Sequence, residues 1–166
     1  MTAQIPSQPG KSLEKDDIQN RYLLFMLCGE LYGCSIVHVQ EIIRSHTIKP
    51  VPFMTEAFAG VINLRGQIVG VFDLAQKFQM RDSVANPDLI LIAETHQGVI
   101  GILIDEIIKV HVFMPEEIQK TSEHSHINIL PNFFEGVGQI GEKLVHLIDL
   151  PNFVALQDFR ELENAG

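Results

Sequence analysis

The chain has 166 residues, with 12 Lys+Arg against 21 Asp+Glu for a formal net charge of −9. At 46% hydrophobic and 20% charged it can bury a core of domain size, which excludes an intrinsically disordered protein. Residues 18–82 sum to +1 and residues 83–166 to −9, so no basic stripe exists to displace the counterions of a nucleic acid.

Residues 1–17 are rich in Gln, Ser, Pro and charge without a sustained period, and read as a disordered tail. No charged stretch followed by an apolar one opens the chain, so no secretory signal is expected. From Ile18 the sequence reads mainly as strands. Tyr22 to Cys28 is an apolar run, Gly29-Glu30 a turn, and Leu31 to Val39 the next strand. Such unbroken apolar strands predict burial on both faces. Cys28 and Cys34 lie across this hairpin. They are too few for a disulfide framework or a structural zinc site, so a reduced, cytosolic protein is expected.

Gly60 to Leu64, Arg65-Gly66 and Gln67 to Phe72 read as a hairpin with a two-residue turn. Leu89 to Ala93 and Val99 to Ile108 form another strand pair around His96-Gln97-Gly98. The longest apolar stretches, such as Gly98 to Ile104, are strand-sized, well short of the roughly 18 residues of a membrane helix.

An internal repeat organises these strands. GVINLRGQIVGVFDL (60–74) lies over GVGQIGEKLVHLIDL (136–150) at an offset of 76 residues, and VQEII (39–43) echoes IDEII (104–108) at an offset of 65. The difference of 11 places an insertion within 111–135. Two copies of one small β unit are too few for a solenoid and predict two small barrels sharing a hydrophobic seam. Each copy ends alike, in DLAQKF and DLPNFV. Asp73 and Asp149 therefore read as N-caps of short helices, with Gln76 at capping-box spacing and Pro151 in a first turn.

Several patterns that could carry chemistry have simpler explanations. GVGQIG (136–141) fits the dinucleotide fingerprint, but the residues after it read as a strand where that chemistry requires a helix. The Asp73/Asp149 pair could be a carboxylate couple, and capping accounts for both. His124-Ser-His126 could offer two imidazoles to a metal; the flanks are polar and no third ligand stands nearby. Arg65 is a cation at a hairpin tip, where simple solubility is the common reason for arginine.

The segment GVINLRGQIVGVFDL, together with YLLFMLCGELYGCSIVHVQEII and the Pro50-Val51-Pro52 spacer, resembles the CheW family of chemotaxis coupling proteins over roughly residues 20–155. The resemblance implies two pseudo-symmetric, five-stranded SH3-like barrels around a shared core, with short helices after each repeat. The expected division is a CheW-like domain over 18–157, barrel one about 20–82 and barrel two about 86–155, the terminal strands free to cross over, and a tail over 158–166. It implies a non-catalytic adaptor, without cofactor or metal, that joins the regulatory domain of a CheA-type histidine kinase to the cytoplasmic tip of a chemoreceptor. It implies no nucleic-acid partner, no membrane insertion, and a cytoplasmic protein recruited to receptor arrays through its partners. Carried over by motif, Val39, Glu41, Ile42, Gly60, Asn63 and Arg65 face the receptor or support that face. The same fold could serve another CheA-type pathway, in twitching or surface growth; a metal- or nucleotide-binding enzyme is the remaining alternative. Two departures from the family pattern stand out: Gly70 where Pro is usual, expected to loosen an edge or permit a bulge, and Ala75 where a basic residue is frequent, expected to remove charge beside a partner surface.

Overall fold

The computed structural model describes residues 18–44, 47–55, 57–77, 88–120 and 134–153. The expected tails, 1–17 and 158–166, lie outside the described residues, as does the His124/His126 pair. Eleven strands make two sheets among the described residues. In chain order they are β1 (Arg21–Leu27), β2 (Glu30–Ser35), β3 (Val39–Arg44), β4 (Phe58–Leu64), β5 (Gln67–Asp73), β6 (Leu89–Thr95), β7 (Gly98–Ile104), β8 (Glu106–Val112), β9 (Ile118–Lys120), β10 (Phe134–Ile140) and β11 (Lys143–Ile148). A four-residue helix α1 (Leu74–Lys77) follows β5, and a single 3-10 turn (Leu150–Asn152) follows β11.

One sheet runs β8-β1-β2-β11-β10-β9 and the other β3-β6-β7-β5-β4. The expected five strands per unit hold for one sheet; the three-residue β9 adds a sixth to the other. Its counterpart in the five-stranded sheet is the lone bridge of Lys49 to Val61, equivalent to Gln119 opposite Val137.

The division of the chain differs from the expected 20–82 and 86–155. The five-stranded sheet uses β3, β4 and β5 with the β6–β7 hairpin, whereas β1 and β2 join β8, β10 and β11. Each half of the chain thus lends its first hairpin to the sheet of the other half. Two parallel joints hold the exchange, β5 to β7 and β11 to β2. Gly101 faces Val71 in one and Gly33 faces Leu147 in the other, so the first hairpins match at an offset of 68 residues (33 to 101) and the later ones at 76 (71 to 147). The third strands also match at 68, not 65: Glu41 lies opposite Ile92 as Lys109 lies opposite Leu24. The apparent VQEII/IDEII echo fails because Ile104 closes β7 and the chain bends at Asp105 before β8 begins. The insertion is correspondingly 8 residues, the difference between 68 and 76.

Period-2 alternation explains why the strands are apolar throughout. On β1, Leu23, Phe25 and Leu27 enter a cluster shared by both sheets, while Tyr22 and Leu24 enter one confined to the six-stranded sheet. On β6, Leu89, Leu91 and Ala93 enter the shared cluster, and Ile90 and Ile92 enter one confined to the five-stranded sheet. That confined cluster draws Ile43 from one edge strand and Ile62 and Leu64 from the other, so the sheet curls until its two edges meet.

Local details shift from expectation by small steps with clear causes. The first turn is Cys28-Gly29, both at positive φ (51° and 78°), with Glu30 already paired to Leu27. The Asp105 carboxylate accepts the Cys28 N–H at 2.8 Å and fixes that register. The strand expected over 31–39 breaks at Ser35, whose hydroxyl caps the 3-10 turn Ile36–His38. Asp73 caps α1 as expected, accepting the N–H groups of Ala75 and Gln76. Asp149 does not cap with its side chain, because Pro151 offers no N–H there; its carboxylate takes the side-chain amide of Asn152 at 2.8 Å. GVGQIG ends β10 and turns directly into β11, so no helix N-terminus meets it. Gly70 lies on β5, between β4 and β7 rather than at an edge, and the β4–β5 bulge falls at Phe58/Gly60 instead. Its missing Cβ leaves room for the Phe58 ring. Ala75 is fully buried in the shared core, where a basic side chain would be taken out of water.

Candidate functional site

Of the six residues singled out in the sequence, Val39, Glu41 and Ile42 lie on the edge strand β3, Asn63 and Arg65 at the tip of the β4–β5 hairpin, and Gly60 further back along β4, the other edge. The hairpin closes Leu64 on Gln67, with Arg65 and Gly66 at φ of 52° and 85°. Positive φ at both central residues is the type I′ turn that matches the right-handed twist of a β ribbon. Glycine adopts it without strain; arginine does so at some cost. The Asn63 side chain accepts the Gly66 N–H at 2.8 Å and holds the turn closed.

The strained arginine is aimed. Arg65 Nη1 donates to Glu41 Oε1 at 2.8 Å and Nη2 donates to Glu41 Oε2 at 2.9 Å. Glu41 sits on β3, the opposite edge strand, so this fork-to-fork pair ties the two edges of the curled sheet together. Its side chains are 77% (Arg65) and 26% (Glu41) exposed, which places the pair at the surface with the carboxylate partly screened. The resemblance implied only that both residues face the receptor or support that face. In the fold the Arg65 donors already meet Glu41, and the guanidinium presents its outer edge.

The other four residues divide by role. Ile42, next to Glu41, is an exposed aliphatic on the same strand. Val39 is half-buried against the shared core and anchors the start of β3. Gly60 is buried at φ 144°, and a Cβ there would overlap the Lys49 carbonyl oxygen. It lets β4 close onto the Lys49 backbone, away from the tip turn. Asn63 acts through the turn. The exposed members of the six are thus Ile42, Asn63 and Arg65, with Glu41 partly exposed beside Arg65.

The sequence reading passed over three exposed apolar features. Phe53 is 98% exposed at φ 65°. Ile68 projects from β5 just beyond the tip turn. Ile108, Val110, Val112 and Met114 project from the edge strand β8 and the residues after it. Alternation in this last segment was legible, but the usual rule sends its apolar set inward. Here Lys109 and His111 share a face with Leu24 and Tyr22, with the His111 ring against Phe113, and the aliphatic set faces out.

Among the described residues no group of three or more His, Cys, Asp or Glu is placed to hold a metal ion, and no helix is long and apolar enough to cross a membrane. Cys34 is fully buried and its thiol is pushed up to about 12 by desolvation. Burial and the Glu135 carboxylate, which accepts the Tyr22 hydroxyl at 2.5 Å, raise the Tyr22 phenol; burial and Glu30 raise that of Tyr32.

Two sheets on one shared core, with an ion pair tying the edges of one of them together, define a mainly β protein. The family model for the CheW-like domain matches residues 21–158, and the chain belongs to that family. It is 28% identical over 155 residues to the chemotaxis protein CheW of Klebsiella aerogenes, covering 93% of both chains. It is 26% identical over 154 residues to the chemotaxis protein CheW of Treponema pallidum, covering 90% of each. Among solved structures it is similar to the scaffolding protein TtCheW from Thermoanaerobacter tengcongensis, with a TM-score of 0.74 and 26% identity over 84% of this chain and 95% of that one.

Proposed function

We propose that the chain is a non-catalytic adaptor that couples a CheA-type histidine kinase to chemoreceptors, working in the cytoplasm and reaching the membrane through its partners. Membership of the CheW-like family supports this, as do relatives named for chemotaxis and a solved relative named as a scaffold. The observation that carries the reading is the Glu41–Arg65 pair, which fixes β3 to the β4–β5 turn, while Ile42, the next residue, projects from the other face of that edge strand.

The mechanism is geometric. A receptor tip would seat an apolar side chain on Ile42, while the polar edge of the Arg65 fork sets register. Val39 and Asn63 would hold that edge in shape, and Gly60 would keep β4 closed on the Lys49 backbone. The exchanged hairpins make the two sheets one rigid body, so a partner on either sheet has a fixed orientation to a partner on the other. Titration of the purified chain with a receptor cytoplasmic hairpin fragment, and separately with the kinase regulatory domain, tests the reading. Saturable binding to both is expected, with no nucleotide hydrolysis by the chain alone. Binding to neither, or turnover of ATP by the pure chain, overturns it.

A further inference from the structure

Among the described residues the chain crosses between the sheets twice, and the two crossings are built differently. β2 leaves the six-stranded sheet through Ile36–His38 and enters the five-stranded sheet as β3. β7 returns through Asp105 alone and continues as β8. Val37 and Asp105 are equivalent at the 68-residue offset. Asp105 is pinned: its N–H donates to the Met26 carbonyl at 3.1 Å, and its carboxylate accepts the Cys28 N–H at 2.8 Å. The first crossing is held lightly. The Ser35 hydroxyl accepts the Val37 N–H at 3.4 Å, the Val39 N–H donates to the Ile36 carbonyl, and Ile36 is half-buried against the shared core. Val37 itself is 51% exposed.

The residues of this turn favour another conformation. Leu31 to Val39 reads in the sequence as one strand, and Ile36, Val37 and Val39 are β-branched, a type that suits a pleated strand and loses side-chain freedom in a helical turn. Both flanking residues are already extended, Ser35 at φ −60° and ψ 130°, Val39 at φ −85° and ψ 124°. Local preference and the closed fold therefore disagree over Ile36–His38, and a short linker of that kind is a hinge. The element ahead of it is a complete hairpin. β1–β2 fills a socket between β8 on one side and β11 on the other, with Leu23, Phe25 and Cys34 in the shared core. The hairpin of a second copy can make every one of those contacts.

We propose that two copies of the chain trade their β1–β2 hairpins, with Ile36–His38 straightening so that β2 runs on into β3, and that this swapped dimer is a second folded state of the protein. The dimer keeps the β1–β8 and β2–β11 pairings of the monomer, now made between chains, so the balance between the two states rests on the hinge and on protein concentration. Interconversion withdraws a hairpin whose Leu24, Phe25 and Leu27 are fully buried, so each state persists once formed. β3 follows the hinge directly, so the dimer carries two Glu41–Arg65 edges tethered by the straightened segments, and is bivalent toward whatever that edge binds. The exchange itself requires only a second copy of the chain.

The test refolds the full chain from denaturant at about 1 mM and about 1 μM, separates the products by size exclusion with light scattering, and follows them after dilution. A reporter pair, Arg21→Cys with Val112→Cys on a Cys28→Ser background, occupies directly opposed positions of β1 and β8. Once oxidised, it closes within one chain in the monomer and between chains in the swapped dimer, which a denaturing gel without reductant distinguishes. The expected result is a dimer after concentrated refolding, cross-linked between chains and persistent on dilution. Val37→Asn disfavours the extended hinge at an exposed position, and three glycines inserted after Val37 lengthen it; each should lower the dimer fraction at least threefold. Monomer alone at both concentrations overturns the proposal. A dimer that falls apart on dilution, or whose disulfide stays within single chains, is a side-by-side association and overturns it too. A swapped dimer whose fraction is unchanged in both hinge variants overturns the assignment of the hinge to Ile36–His38.

Discussion

The two sheets are copies of one unit that have been put to different uses. Strand for strand, β8-β1-β2-β11-β10 repeats β3-β6-β7-β5-β4, down to matching bulges at Phe58/Gly60 and Phe134/Gly136. The edges do not repeat. Where the five-stranded sheet has Glu41 and Arg65, the six-stranded sheet has Lys109 and Gly141, and no fork can form between them. Where β3 presents Gln40, Ile42 and Arg44, β8 presents Ile108, Val110 and Val112. At the seam, Gly70 gives room to Phe58, whereas His146 fills the equivalent place with its ring toward Phe134 and Tyr32. What duplication preserved is the backbone pairing and the buried face. What diverged is the surface, one edge tied by charge and the other left aliphatic. A symmetric scaffold thereby acquires two unlike faces at fixed orientation, as an adaptor requires.

The sharpest way to break the equivalence is at the buried glycines. Gly60 and Gly136 each face the backbone of the preceding segment, where a Cβ would overlap the Lys49 carbonyl or lie 2.5 Å from that of Gln119. Gly60 also has positive φ. Gly60→Ala should therefore cost about 4 kcal/mol and Gly136→Ala about 2–3 kcal/mol, measured by denaturant unfolding. Equal costs would show that the backbone conformation at Gly60 contributes nothing.

Leu24 and Ile92 are equivalent by the 68-residue offset, both are fully buried, and each sits in the private cluster of a different sheet. Leu24→Ala and Ile92→Ala should each destabilise by roughly 2–4 kcal/mol. Because the halves exchange their first hairpins, each variant should still unfold in one transition. Two resolved transitions would mean that the sheets fold as separate bodies.

Arg65→Asn sharpens the difference between the tips. It converts the turn to Asn-Gly, the preferred type I′ pair, and removes an exposed ion pair worth about 0.2–1 kcal/mol, so stability should stay within about 0.5 kcal/mol of wild type. Receptor-fragment affinity should fall at least tenfold, about 1.4 kcal/mol. Unchanged affinity would reduce Arg65 to a turn residue.

The smallest effect is one of pH. The Cys34 thiol is raised from its ordinary value near 9 to about 12, so the folded chain holds that proton more tightly than the unfolded one. Its contribution to stability is full below pH 9 and is lost as pH rises from about 9 to about 12; the raised tyrosines act in the same sense. At pH 8 a thiol reagent should label Cys28, at the half-buried turn, and reach Cys34 only on unfolding. Equal labelling of both in the folded chain would contradict that burial.

Much of this was legible in the residues. The 60–74/136–150 repeat found both later hairpins, and its DL endings found the short helix after β5 and the single 3-10 turn after β11, though Asp149 does not cap with its side chain. Apolar runs without alternation foretold strands buried on two faces. The resemblance left the terminal strands free to cross over, but which hairpins exchange was not legible: pairing across 114 residues for β2 with β11 and 30 for β5 with β7 leaves no local pattern, and only those contacts reveal it. The site was half legible. VQEI and NLRG named Glu41 and Arg65, but their meeting depends on sheet curl, which no one-dimensional spacing encodes. Phe53 escaped notice because the Pro-Val-Pro-Phe spacer looked like a simple connector, and the sign of φ is not written in composition.

The central claim is that Glu41 and Arg65 act as one unit on the partner-facing edge. A double-mutant cycle with Glu41→Gln, Arg65→Gln and the pair, read as affinity for the receptor hairpin fragment with unfolding measured alongside, tests it most directly. The account predicts that each single change weakens binding, and that the double variant binds no worse than the weaker single one, a coupling of about 1–2 kcal/mol at near-constant stability. Strictly additive losses, or full affinity in all three variants, would contradict it.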